Sequence, residues 1–117
     1  MKDVLKRLNS EVGVKGSMIL TQDGIVIASD LGTGLQEERL AAISSSAIKG
    51  INAAIEPVER EGFHRFSFIS AHGKMVILRT GDAYLVVVLE PSIKLDVTLI
   101  AIVSAARKVS NLGQIRI

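Results

Sequence analysis

The residues of this chain that are most able to do chemistry stand apart from one another. The two histidines, His64 and His72, flank an apolar segment and have no second histidine or carboxylate at ligand spacing. Asp23 precedes Gly24 between two apolar runs, and Asp-Gly is the pair that tight hairpin turns require. Turn formation therefore accounts for Asp23, and the histidines predict neither a metal site nor an acid–base pair.

Two further patterns resemble sites found in enzymes. Residues 44–46 are three consecutive serines, but no base stands at a predictable distance to activate a hydroxyl. Gly32-x-Gly34 lies between a predicted strand and a predicted helix, yet Glu37 occupies the third glycine position of a dinucleotide fingerprint. A carboxylate there would repel a phosphate. Cysteine is absent, which excludes disulfides and thiolate ligands. We therefore predict a non-enzyme with no cofactor and no metal.

Hydrophobic periodicity and turn residues predict the element order α-β-β-α-β-β-β-α. Strands are predicted at residues 17–21, 25–29, 63–70, 75–80 and 84–89, and helices at 2–12, 34–56 and from 92 to 113, before a short tail. The last two strands are apolar on both faces, as central strands covered by helices are. We expect one domain over residues 1–117 of the α/β (α+β) class. Its five-stranded antiparallel sheet has the terminal helices on one face and the middle helix on the other.

The middle helix shows one apolar and one solvated surface. Thr33 and Gln36 form a capping-box pattern that predicts a start near Gly34, and Pro57 predicts an end near Glu56. On a helical wheel the stripe predicted to face the sheet is Leu40, Ile43, Ala47, Ile51, Ala54 and Ile55, and the solvated side is Glu38, Ser45, Lys49, Asn52 and Glu56.

A ridge of small residues runs between these two surfaces, and it includes Gly50. A glycine inside a helix costs about 1 kcal/mol relative to alanine, and close approach of another backbone would explain it. The strand predicted after this helix holds all three phenylalanines and carries Arg65, which suits a sheet edge open to another chain. We therefore predict a homodimer interface formed by Ala42, Ser46, Gly50, Ala53, Phe63, Phe66 and Phe68.

Charge and hydropathy limit the other classes of function. Segments 1–15 and 91–117 hold eight basic and three acidic side chains, so the terminal helices predict a mildly basic layer. Solvated helix faces are the simpler explanation, and docking on an anionic surface is the alternative. Aromatic residues are too few for a nucleic-acid platform. Without an apolar run of transmembrane length or a secretory leader, we expect a cytoplasmic protein.

Residues 16–24 (GSMILTQDG), followed by the apolar run 25–29 and the element order above, make the whole chain resemble the roadblock / dynein light chain family. The resemblance implies a profilin-like fold and a homodimer in which the middle helices pack together and the third strands pair. Members in bacteria and archaea commonly act on or scaffold small Ras-like GTPases, without supplying an arginine finger.

The expectation is therefore a non-enzymatic homodimeric regulatory or scaffold protein that binds a Ras-like small GTPase and modulates its nucleotide state. Partner contacts are expected at Arg39, Lys49, Asn52 and Glu56. The alternatives are a small-ligand sensor of PAS or GAF type and a dimeric assembly subunit that docks on an anionic surface.

Overall fold

The computed structural model describes residues 1–114, and its elements follow the predicted order. They are α1 (Lys2–Asn9), β1 (Val14–Leu20), β2 (Val26–Leu31), α2 (Glu37–Ile55), β3 (Arg65–Ser70), β4 (Gly73–Thr80), β5 (Ala83–Leu89) and α3 (Leu95–Gln114). The tail expected at the C-terminus, residues 115–117, lies outside the described residues.

The five strands form one antiparallel sheet in the order β2-β1-β5-β4-β3. β5 is central, and the alternation of its side chains explains why it is apolar on both faces. Leu85 and Val87 join the core beneath α1 and α3, whereas Tyr84 and Val86 join the core beneath α2. The predicted distribution of helices over the two faces is confirmed, and so is the position of β3 at an edge.

The start of α2 differs from the prediction. Gly34 has φ +90°, and Gln36 is extended with φ −108° and ψ 124°. Neither residue is helical, so the helix begins at Glu37, and Gln36 makes no capping hydrogen bond through its side chain. The predicted capping box between Thr33 and Gln36 is therefore wrong. The predicted end is confirmed, because α2 stops at Ile55, two residues before the proline.

The terminal helices are also shorter than predicted. α1 ends at Asn9, whose side chain donates to the backbone oxygen of Asp30 (2.6 Å) and accepts from Ser17 Oγ (2.8 Å). The next residue, Ser10, donates its hydroxyl to Arg7 O (2.6 Å), and such local side-chain bonds compete with continuation of a helix. α3 begins at Leu95 rather than at the predicted cap Ser92. The segment before α3 is tied to the residue that precedes β1, because the backbone N–H of Glu90 donates to Gly13 O (2.8 Å).

The face that α2 turns to the sheet is the largest correction. Its buried residues are Leu40, Ala41, Ser44, Ser45 and Ile48. Ile43, predicted to be buried, is 54% exposed, whereas Ser45 and Asn52, predicted to be solvated, lie inside. The helix is thus rotated by roughly 80° from the predicted orientation. Hydrogen bonds explain the difference, since Ser45 Oγ donates to Gln22 O at 2.7 Å and Asn52 has two partners described below.

Candidate functional site

The outer face of α2 is small and apolar. Because Leu40 and Ile48 face the sheet, the predicted ridge points directly away from it and all four of its residues are exposed. A Cβ built at Gly50 would meet no atom within 4 Å, so nothing within one chain requires glycine there. Ile43 and Ala54 are exposed beside the ridge. The ridge consists of Ala42, Ser46, Gly50 and Ala53.

The three phenylalanines have three different environments. Phe63 is 8% exposed, and its ring centroid lies 5.6 Å from that of Tyr84 and 6.2 Å from that of Phe66. It is a core residue of this chain rather than an exposed contact. Phe66 is half-buried against the same core, and Phe68 is 55% exposed. Of the predicted aromatic interface, Phe68 is therefore the side chain most available to a partner.

The aromatic side chains of the edge strand β3 lie on the same side of the sheet as α2 and its ridge. Phe66 and Phe68 pair with Ile77 and Met75 of β4, whose side chains pack with the core beneath α2. β3 pairs with β4 along its whole length without a register shift, and within residues 1–114 its other edge has no partner strand. A regular, unpaired strand edge is a template for pairing with another chain.

The opposite edge strand, β2, is less regular than β3. Its register with β1 shifts between Ile19 and Leu20, whereas β3 shows no such shift. A bulge is one of the devices that discourage edge-to-edge pairing. β3 is therefore the edge better suited to receive another strand.

Three of the four predicted partner-contact residues line one polar depression at the C-terminal end of α2. Lys49, Asn52 and Glu56 border a volume of about 380 Å³ together with Arg60 and Arg79. Both charge signs are present, which suits a protein surface with its own pattern of charges. The sequence pattern singled out neither Arg60, which follows the end of α2 by five residues, nor Arg79, which lies in β4 and is distant from α2 along the chain.

The fourth residue, Arg39, lies apart from this depression. It precedes Lys49 by ten residues of α2, which is about 15 Å along the helix axis. The side chain of Arg39 is exposed and lies near the start of the ridge. Lys49 itself is anchored by an ion pair to Asp23 at 3.5 Å.

The side chain of Asn52 is fixed by two hydrogen bonds within the chain, which the sequence did not indicate. Its Nδ2 donates to Tyr84 Oη at 3.2 Å, and its Oδ1 accepts from the backbone N–H of Phe63 at 3.0 Å. These bonds connect α2 to β5 and to the segment before β3. Asn52 therefore shapes the floor of the depression, while Lys49 and Glu56 are exposed at its rim.

The groups considered for catalysis do not converge. His64 and His72 are exposed, and within residues 1–114 no group of three or more His, Asp or Glu side chains could hold a metal ion. Of the three consecutive serines, Ser44 is buried with its Oγ unpartnered, and Ser45 bonds to the β1–β2 turn. In the part of the chain that the structure describes, no helix is long and apolar enough to cross a membrane.

Comparison with known proteins agrees with this architecture. An uncharacterized protein of Methanocaldococcus jannaschii is 32% identical over 106 residues, which cover 91% of this chain and 90% of that protein. Myxococcus xanthus MglB superposes with a TM-score of 0.87 at 16% identity, covering 97% of this chain and 94% of that chain. A structure described as MglB with tetrameric arrangement superposes with a TM-score of 0.84 at 17% identity, covering 96% and 86%.

The sequence itself identifies the family. The model of the Roadblock/LC7 domain matches residues 1–89, from the first helix to the end of β5, while α3 follows the matched region. The similar solved structures share the same arrangement of three helices on a five-stranded sheet. The chain therefore belongs to the Roadblock/LC7 family.

Proposed function

We propose that this protein is a non-enzymatic homodimeric regulator or scaffold that binds a Ras-like small GTPase and modulates its nucleotide state. The observation that carries the proposal is the small, apolar outer face of α2 beside the unpaired edge of β3. A second copy of the chain can complement both features at once. The tetrameric arrangement named for one MglB structure supports self-association of this fold.

The proposed dimer has a simple geometry. Two β3 strands pair antiparallel about a twofold axis and join two five-stranded sheets into one, so that the same surface is used on both copies. The α2 helices then lie side by side on one face of the joined sheet, and Gly50 allows their backbones to approach. Covering the exposed halves of Phe68 and Ile43 contributes about 1 kcal/mol for each side chain.

Regulation of a GTPase by such a dimer requires no catalytic group from this chain. A protein that binds one conformation of its partner more tightly than the other shifts the partner toward that conformation. A tenfold preference corresponds to about 1.4 kcal/mol. We assign the contact to Arg39 and to the polar depression at the C-terminal end of α2, where Lys49, Glu56 and Arg79 combine both charge signs.

The test of partner binding uses Ras-like GTPases from the source genome, each loaded with GDP or with a non-hydrolysable GTP analogue. Binding is measured by calorimetry, and hydrolysis and exchange are followed with a fluorescent nucleotide. We expect a preference for one nucleotide state, and we expect the double variant Lys49→Glu/Glu56→Lys to weaken it. Lys108→Glu, on the opposite helix layer, is the matched control. Absence of binding to every GTPase, with hydrolysis and exchange unchanged, would refute the proposal.

A further inference from the structure

A second surface, on the other face of the sheet, concentrates positive charge. A depression of about 600 Å³ lies between α3 and the edge of the sheet where β3 begins and β4 ends. Three arginines and a histidine line it, and they come from separate parts of the chain, so that folding alone brings them together. We call this the arginine depression, and its charged or titratable lining residues are His64, Arg65, Arg79 and Arg107.

The arginine depression differs in charge from the other depressions described on the molecule. Among the residues that the structure describes, no aspartate or glutamate lines it. The groove between α1 and α3 is lined by Asp3 and Glu11 as well as Arg7 and Lys108, and the depressions beside α2 and along α3 also contain both signs. Charge is therefore segregated at this one place, although acidic and basic residues are nearly equal in number over the whole chain.

Within residues 1–114 no carboxylate pairs with the charges of the depression, since the ion pair formed is that of Lys49 with Asp23 on the other face of the sheet. Arg79 also borders the polar depression of α2. It alternates with Leu78 in β4, and its guanidinium donates to Gly81 O (3.3 Å) and to Glu61 O on the α2 side. The charges left to attract an anion are therefore those of Arg65 and Arg107.

The floor and walls of the depression indicate which anion fits. Leu78, Val103 and Ala106 supply apolar surface, and the hydroxyl of Thr80 is already used by its bond to Ala106 O at 2.6 Å. Ser110 adds a half-buried hydroxyl. Guanidinium forks match the oxygens of a phosphate group in pairs, and a volume of several hundred Å³ suits a small molecule.

We propose that the arginine depression binds a phosphate group carried by a small molecule, with Arg65 and Arg107 as its principal ligands. Arg65 pairs with Leu78, whose side chain packs beneath α1 and α3, and Arg107 belongs to α3. Both lie on the face opposite the ridge of α2. The site adjoins the proposed dimer and GTPase surfaces, because Arg65 lies on β3 and Arg79 also borders the polar depression of α2. Its two principal ligands are on the other face of the sheet, so its test does not depend on those proposals.

The experiment titrates the full-length protein with inorganic phosphate, pyrophosphate or ADP at physiological salt and follows backbone amides by NMR. Saturable shifts should concentrate at residues 64–65 and 107–110. The double variant Arg65→Gln/Arg107→Gln should weaken binding about tenfold or more, because two charge-assisted bonds are lost. Arg107→Lys, which keeps the charge but loses the planar fork, should weaken it by an intermediate factor.

The matched control is Arg7→Gln/Lys108→Gln, which removes the same charge from the neighbouring groove. It should change the affinity less than about twofold, because physiological salt screens charges at that distance. Equal losses of affinity in the two double variants would indicate general electrostatic attraction and would overturn the proposal of a site. Absence of saturable shifts with all three soluble phosphates would overturn it as well. Binding to vesicles of anionic lipid without binding to soluble phosphates would replace it with a membrane-docking surface.

Discussion

Substitution of Gly50 separates the stability of one chain from the stability of the proposed dimer. A Cβ at this position meets nothing within 4 Å, so alanine or leucine fits the single chain without a clash. Alanine favours a helix interior over glycine by about 0.8–1 kcal/mol. In the isolated chain we therefore expect Gly50→Ala to raise the free energy of unfolding by about that amount, and Gly50→Leu by slightly less.

The dimer should respond in the opposite direction. A leucine side chain on the ridge would hold apart two α2 backbones that approach each other at Gly50. Separation of the helices exposes Ile43 and Phe68 again on both copies, at about 1 kcal/mol for each side chain. The loss of dimerisation free energy lies between about 1.4 and 4 kcal/mol, so the dissociation constant of the dimer should rise roughly tenfold to a thousandfold.

Sedimentation velocity over a range of micromolar concentrations measures self-association, and urea unfolding at a low and a high concentration measures stability. Gly113→Ala is the control, because Gly113 is also open to solvent but lies on α3, on the other face of the sheet. It should leave the sedimentation coefficient unchanged. A wild-type protein that is monomeric at micromolar concentration, or a Gly50→Leu variant that sediments as the wild type does, would refute the reasoning.

Three further substitutions test the surface and the framework beneath it. Phe68→Asp should shift sedimentation toward the monomer, whereas Ile69→Asp, which places the same charge on the other face of β3, should shift it less; equal shifts would argue against a contact on the α2 side. Asn52→Ala leaves the N–H of Phe63 without its acceptor and should lower the free energy of unfolding in urea by about 1–3 kcal/mol, against less than about 0.5 kcal/mol for the exposed control Lys49→Ala. Thr80→Val removes the buried bond to Ala106 O and should cost about 1 kcal/mol; a variant as stable as the wild type would show that this link between β4 and α3 contributes nothing.

The candidate surface was predictable in part. Gly50 and the small residues around it could be recognised from the sequence because glycine inside a helix is unfavourable and needs an explanation. Their exposure depends on the rotation of α2 about its own axis, and the hydrophobic pattern alone predicted the wrong rotation. Phe63 and Phe66 were grouped with Phe68 because they share a segment, yet the core beneath α2 covers the first and half of the second.

The sequence by itself determined the element order, the two-sided burial of β4 and β5, and the edge position of β3. These depend on local properties, namely the period of the apolar residues and the conformations that glycine and proline allow at turns. Gly24, at φ +90°, lies in the turn that the Asp23-Gly24 pair predicted.

The tertiary structure alone decided which face of α2 is open and which charges meet. Ser45 and Asn52 turn inward because Gln22 O and Tyr84 Oη offer them hydrogen bonds, and those partners are in place only once the sheet has formed. Arg65 and Arg107 line one depression because α3 packs across β4 beside the edge strand. Contacts between residues distant along the chain have no local signature, since they follow from how the elements pack.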